Sequence, residues 1–554
     1  MKKIIIFPLL LLFVASVVVA GSATRSRKAD ISRNLQIFNA VYKELQTQYV
    51  DTIDADKTMR TAIDALLGQI DPYTEYYPAD DQDEITSISS GQYAGIGSYI
   101  VKRGDNVLIH QPQWNSPARN GGLRHGDVIL SVDGWVLKPE TATADVSKRL
   151  RGQPGTHVKI DVRRPYVDDS LLTFDIVRSQ IKVNPLPYAG VLDDSIGYIR
   201  LTTFNEKSAE AVKKAVTDFN AVPGLKGIVL DLRDNGGGLL ESAVQIVGNF
   251  VNRGTEVVRT KYNDSTKVQI YKTPKAPIAR DVPLAVLVND GTASASEIVS
   301  GSLQDLDRAV IIGQRSFGKG LVQHTRPLPY DGILKVTVAR YYIPSGRLIQ
   351  AIDYSHRDEQ GRVTRIPDSL TTVFKTRHGR EVRDGGGITP DITVKLPEGN
   401  RLLYNIVADF WAYDYANRFA AQNDSVGTSD EFVVGDSIFD DFKKFIDPAR
   451  FKYDRLCESA LKYLREAAEN EGYMNDTVAA EFARLDTLLR HDLNRDLDHN
   501  RKDIIEILDT EIAERYFSDS DLVRRSLKGD AALDSARVVL SSPERYKAIL
   551  RPKK

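Results

Sequence analysis

Two side chains within residues 289–323 have the types and neighbours that amide-bond cleavage needs. They are Ser294, in the run Gly291-Thr-Ala-Ser-Ala-Ser-Glu297, and Lys319, in Phe317-Gly-Lys-Gly320. The apolar run 284–288 predicts a buried strand, and Ala295, Ile298, Val299, Leu303 and Leu306 recur at the spacing of a helix packed on it. Ser294 therefore stands at a strand-to-helix junction, beside backbone N–H groups that the helix leaves without partners. A hydroxyl there can act as a nucleophile once a base takes its proton. It can also be a plain helix cap, because Ser294-Ala-Ser-Glu297 fits the capping box, in which serine and glutamate bond reciprocally to the first turn. Lys319 has the same two readings. Most lysines are solvated surface charges, whereas one held between glycines and apolar groups is pushed toward the neutral form that a general base requires. If the chain runs extended after it, residues 319, 321 and 323 share a face, and Gln323 can hydrogen-bond the amine and aim it.

Two other chemistries compete for these residues. Gly313-Gln-Arg-Ser-Phe-Gly-Lys319 follows a strand and matches the first part of a phosphate-binding loop, GxxxxGK. Gly320 then stands where a Ser or Thr would hold magnesium, and residues 321–325 read as a strand rather than a helix. A Ser/His pair using His324 meets a different objection, since its odd offset from Lys319 points it to the opposite strand face. A second loop, Asp234-Asn-Gly-Gly-Gly238, also follows an apolar strand and opens a helix, so its N–H groups can approach a ligand without side-chain obstruction. The N–H groups of this glycine loop and of Ala295 form a candidate oxyanion hole, in which each donor stabilises the transition state by about 3 kcal/mol.

The elements that must position these loops follow from the pattern around them. From Ile196 the chain alternates apolar strands with helical runs, which predicts an α/β core with a mainly parallel sheet covered on both faces. Active groups in such sheets collect at the C-terminal ends of strands, where both loops fall. Residues 82–178 are dense in glycine turns and short β-rich runs: the glycine-bearing loop around Gly95, the run 115–134 with Pro117-Ala and Gly122-Leu-Arg-His-Gly-Asp-Val-Ile129, and the hairpin Gly152-Gln-Pro-Gly-Thr156. In that order these motifs resemble a PDZ domain. The resemblance implies that N–H groups at Gly95, Ile96 and Gly97 cradle a peptide's terminal carboxylate while the next strand pairs with the peptide. Residues 24–81 predict two helices ended by Asp71-Pro72. Beyond residue 400 the pattern is helical and charge-rich. There Asp492, Asn494 and Asp496 lack the glycine of a calcium loop, Leu497 standing in its place. This extension has three open roles: dimerisation, docking of an adaptor, or packing on the N-terminal helices.

The chain of 554 residues has 42% hydrophobic and 27% charged residues and a net charge of −1, so nothing attracts nucleic acid or an anionic membrane in bulk. Met1-Lys2-Lys3 and the apolar run to Ala20 form a secretory signal, which predicts export to the periplasm, or an N-terminal membrane anchor if the signal is retained. No cysteine lies near the cleavage region to carry a lipid, and the one cysteine, Cys457, has no disulfide partner in the chain.

From Asp71-Pro72 to Pro390-Asp391 the sequence resembles the C-terminal-processing peptidases, also called tail-specific proteases, of the serine/lysine-dyad kind. Six ordered motifs carry it: Asp231-Leu-Arg-Asp-Asn-Gly-Gly-Gly238, Gly291-Thr-Ala-Ser-Ala-Ser-Glu297, Gln304-Asp305, Phe317-Gly-Lys-Gly-Leu-Val-Gln323, Tyr342-Ile-Pro-Ser-Gly-Arg347 and Gly387-Ile-Thr-Pro-Asp391. The resemblance implies that Ser294, not Ser296, is the nucleophile, Lys319 the base oriented by Gln323, and Gly238 and Ala295 the oxyanion donors. It implies no metal and no nucleotide. The expected substrates are proteins or peptides with exposed, apolar C-terminal tails, and the expected partners a second copy or an adaptor bound through N- or C-terminal helices. A non-catalytic scaffold that captures tails is the alternative. The expected order is a signal (1–23), a helical segment (24–81), the PDZ-like domain (82–178), the protease core (179–399) and a helical extension (400–554).

Overall fold

The computed structural model describes residues 28–551 apart from 82–84, 86, 88–89, 168–170, 265 and 396–398. The signal segment lies outside the described residues. The chain divides into two units, one made of residues up to 78 together with 323–336, the other of 79–322 and 337–554.

The first unit holds the two expected N-terminal helices, residues 28–48 and Ala55–Gly68. Asp54 caps the second, accepting the N–H of Lys57. The helix ends before Asp71-Pro72, where the Asp71 carboxylate accepts the N–H groups of Tyr73 at 2.8 Å and Thr74 at 2.7 Å and turns the chain into the short strand Glu75–Tyr77. That strand pairs antiparallel with residues 333–335, and the ion pair Glu75–Lys335 closes the register. The apolar face read in the first helix stays open: Ile31, Leu35, Phe38 and Leu45 are all exposed.

The second unit is built on a six-stranded sheet in the order Tyr188–Val191, Ile196–Arg200, Gly227–Asp231, Leu284–Val288, Val310–Gly313, Ile392–Thr393. The first pair is antiparallel and the remaining pairs are parallel. Alternation along each strand assigns its two faces. Ile228, Leu230, Leu284, Val286, Val288 and Ile311 point into one core with the helices Ser208–Asn220, Leu240–Val247 and Ala295–Asp305. Val229, Ala285, Leu287, Val310 and Ile312 point into another, filled by Leu533, Ala536, Val539, Leu540 and Leu550 from the helices Ala531–Leu540 and Pro543–Leu550. The end of the C-terminal extension thus packs on the central sheet, a partner absent from the three roles the sequence left open. The earlier part of the extension has a core of its own, with Leu402, Ile406, Tyr415, Phe439, Phe442, Ile504, Leu508 and Ile512.

The PDZ-like segment forms an antiparallel sheet of six strands around Val107, Ile109, Ile129, Val146, Val158, Ile160 and Ile176. The helical extension grips it: Arg103 makes a two-pronged pair with Asp414 at 2.7 and 2.8 Å, Tyr413 donates its hydroxyl to the His110 carbonyl at 2.8 Å, and Arg119 donates to the Arg515 carbonyl at 2.8 Å.

Candidate active site

The strand Leu284–Val288 ends at Asn289, and the helix Ala295–Asp305 starts immediately after Ser294. Ser294 has φ 57° and ψ −115°, a backbone conformation that costs a non-glycine residue on the order of 1–3 kcal/mol and that the surroundings must hold in place. Those surroundings are three loops laced together. Asn289 and Asp234 exchange two hydrogen bonds, the Asp234 N–H to Asn289 Oδ1 at 2.8 Å and Asn289 Nδ2 to Asp234 Oδ1 at 2.7 Å. The Asn235 carbonyl accepts the Ala293 N–H at 3.0 Å and the Ser296 hydroxyl at 2.8 Å. The Thr292 hydroxyl donates to the Leu232 carbonyl, and the Thr292 carbonyl accepts the Phe317 N–H.

Glu297 ties the lysine loop to this frame. It does return to the Ser294 N–H, at 2.9 Å, as a capping glutamate would. The same oxygen, Oε2, also accepts the Lys319 N–H at 2.8 Å, and Oε1 accepts the Gly318 N–H at 2.8 Å and the Ser316 hydroxyl at 2.5 Å. Glu297 is fully buried; burial pushes its carboxyl up to about 7, against the opposing pull of these donors. One carboxylate oxygen thereby fixes the backbones of both Ser294 and Lys319. The capping pattern announced Glu297 only as a local partner of Ser294; its bonds across to residues 316–319 had no signal in the spacing.

The two serines of the motif separate cleanly. Ser296 is buried and committed to the Asn235 carbonyl, whereas Ser294 is half-buried, as is Lys319. The strand after Lys319 begins at Leu321 rather than at the lysine itself. Glu297 holds the N–H groups of 318 and 319, and Gln350 Oε1 holds that of Gly320 at 2.7 Å, so these three amides are not free for a strand ladder; the Gly320 carbonyl reaches the next strand, accepting the Tyr341 N–H at 3.0 Å. Gln323 lies within Leu321–Pro327 and belongs to the first unit.

The glycine loop meets Ser294 closely. A Cβ on Gly237, whose φ is 102°, would fall 2.8 Å from Ser294 Cβ and 2.9 Å from the Ala295 nitrogen; one on Gly238, at φ 139°, would fall 2.1 Å from the Phe204 carbonyl oxygen. Gly237 is thus required by the approach to Ser294, and Gly238 by the crossing of Phe204. Among the described residues the N–H groups of Gly238 and Ala295 have no protein acceptor. At the loop's base Asp231 is fully buried and receives Tyr198 at 2.6 Å, Arg200 at 2.9 Å and Arg233 at 2.6 Å. Burial works against its anion, but the two guanidinium groups outweigh that and hold its pKa below the usual carboxylate value. In the PDZ-like domain, Gly95 ends the strand Gln92–Gly95, and the carbonyls of Ile96 and Gly97 accept from Ala118 and Gln113. The N–H groups of Ile96 and Gly97 donate to no protein acceptor among the described residues. Ile96 itself is buried in the domain core.

Segments of this chain match known proteins. Residues 195–355 match the model of peptidase family S41, residues 109–164 that of a PDZ domain, and residues 402–540 one described as "Probable PDZ-protease, C-terminal helical domain". A carboxy-terminal-processing protease of Bartonella bacilliformis is 36% identical over 355 residues, covering 63% of this chain and 81% of that protein. A photosystem II D1 C-terminal processing protease structure is 29% identical with a TM-score of 0.37, covering 65% of this chain and 86% of that one. The PDZ domain of a carboxy-terminal protease from Vibrio cholerae, solved with a peptide, is 27% identical with a TM-score of 0.16 and covers 16% of this chain and 98% of its own. With its serine-peptidase core, PDZ domain and helical C-terminal domain, the chain belongs to the carboxy-terminal-processing proteases of peptidase family S41.

Proposed function

We propose that this protein is an exported endopeptidase that cuts proteins near their C-termini by a Ser294–Lys319 dyad. The observation that carries the reading is the shared Glu297 oxygen, which fixes the nucleophile's and the base's backbones to one point while Gly237 brings the oxyanion loop against Ser294. Neutral Lys319 takes the Ser294 proton, and the Ser294 oxygen attacks the scissile carbonyl. The N–H groups of Gly238 and Ala295 receive the oxyanion, the amine leaves with a proton, and water then releases the acyl group from Ser294. The PDZ domain holds an unstructured, apolar tail by its terminal carboxylate at Ile96 and Gly97. Export to the periplasm rests on the sequence of residues 1–23.

The test is incubation with an unfolded protein ending in an apolar tail. Fragments are expected from the native enzyme and none from Ser294→Ala or Lys319→Ala, each folded by circular dichroism. Cleavage that persists in Ser294→Ala refutes the dyad, and a substrate bound but left whole by the native protein makes it a tail-binding scaffold instead.

A further inference from the structure

The C-terminal helices reach the loop chemistry as well as the sheet. Asp530 is the N-cap of Ala531–Leu540, its Oδ1 accepting the N–H groups of Ala532 at 3.0 Å and Leu533 at 3.1 Å. The same carboxylate receives Arg233, Nη1 to Oδ1 at 3.0 Å and Nη2 to Oδ2 at 2.6 Å. Arg233 turns its other edge to Asp231, with Nε at 3.0 Å from Oδ1 and Nη2 at 2.6 Å from Oδ2. A planar guanidinium gripped along two edges by two carboxylates has little freedom to tilt or slide. Only 9% of the Asp530 side chain and 22% of that of Arg233 are exposed, so water screens the pair poorly. Arg200 pairs with Asp231 at 2.9 Å and with the exposed Asp234 at 3.5 Å, so without the Asp530 carboxylate Arg233 keeps only Asp231, which it already shares with Arg200. Arg233 sits where the strand Gly227–Asp231 gives way to the glycine loop, next to Asp234, whose N–H is tied to the Ser294 segment through Asn289.

We propose that Asp530 is a positioning residue for peptide cleavage: through Arg233 the C-terminal domain sets the loop from Asp231 to Gly238, and with it the Gly238 N–H that receives the oxyanion. The proposal rests on the active-site reading above. Displacements of about 1 Å in such a donor are enough to cost up to 100-fold in rate.

Asp530→Asn is the clean variant, because asparagine caps a helix as well as aspartate does but brings no charge. Its kcat on the tailed substrate is expected to fall on the order of 10-fold with KM nearly unchanged, since the substrate's ground-state contacts are untouched. Asp530→Ser also caps and offers Arg233 no carboxylate; it is expected to lose more, and it replaces the Asn variant should that one fail to fold. In the Arg233→Ala background neither substitution should lower kcat further, because the route through Arg233 is already cut. Native kcat in Asp530→Asn or Asp530→Ser, or an undiminished effect in the Arg233→Ala background, overturns the proposal. Cleavage surviving Ser294→Ala brings down the active-site reading and this proposal with it; a dead Ser294→Ala beside a fully active Asp530→Asn brings down the proposal alone.

Discussion

One face of the central sheet is covered by helices that lie between its strands in the sequence, Ser208–Asn220, Leu240–Val247 and Ala295–Asp305. The opposite face is covered by helices from the far end of the chain, Ala531–Leu540 and Pro543–Leu550. The first layer is assembled from contacts local in sequence, the second only from long-range ones, yet both bury fully enclosed aliphatic side chains such as Leu303 and Leu533. Closeness in sequence and importance to the core are therefore separate matters in this molecule.

The largest expected effect comes from removing the distant layer. A chain lacking residues 519–554 would expose Val229, Ala285, Leu287, Val310 and Ile312 to water, and is expected to be insoluble or without cooperative unfolding in circular dichroism; a soluble, active truncation would reduce this layer to an appendage. Next in size, Leu533→Ala and Leu303→Ala should each cost about 2–5 kcal/mol in denaturant unfolding, the expectation for deleting a fully buried leucine on either face. A clear excess at Leu303 would show that the two layers are unequal after all.

Glu297→Gln sharpens the comparison on the near side, because its carboxamide NH2 meets at least one N–H donor in either orientation: Ser294 and Lys319 on one side, Gly318 beside the Ser316 hydroxyl on the other. It should cost about 1–3 kcal/mol and lower cleavage sharply. Its pH dependence has a definite sign. With the folded carboxyl raised from 4.5 to about 7, the native protein's gain from this group is complete below about pH 4.5 and is lost as pH rises through about 7. The uncharged variant lacks that loss, so melting temperatures of the two should converge between pH 5 and 8. The smallest effect belongs to Arg103→Ala, which removes a partly exposed ion pair to Asp414; it should cost about 1 kcal/mol or less and show first as faster proteolysis at the PDZ domain's edge.

How much was legible in the sequence follows the same division. The parallel strands, their crossover helices and the junction at Ser294 are written in local periodicity, and they stand where the spacing puts them. The helical character of the chain beyond residue 400 was readable too, but a helical pattern does not name what it packs on. A clue was present in strands such as Gly227–Asp231, buried at every residue and so in need of a second cover. The candidate site divides likewise. Ser294, Lys319 and the glycine loop are visible as motifs, whereas the bonds from Glu297 to residues 316–319 and from Asp530 to Arg233 join segments that no window of sequence contains.

The distant layer has a consequence in time. A ribosome delivers the chain from its N-terminus, so the strands that carry the Ser294 and Lys319 loops emerge while one side of their sheet is still bare. The helix Ala531–Leu540 and the carboxylate of Asp530 follow every strand of that sheet in the chain. A folding intermediate that lacks this segment therefore presents Val229, Ala285 and Leu287 to water, and the core is sealed by residues made after all of its strands.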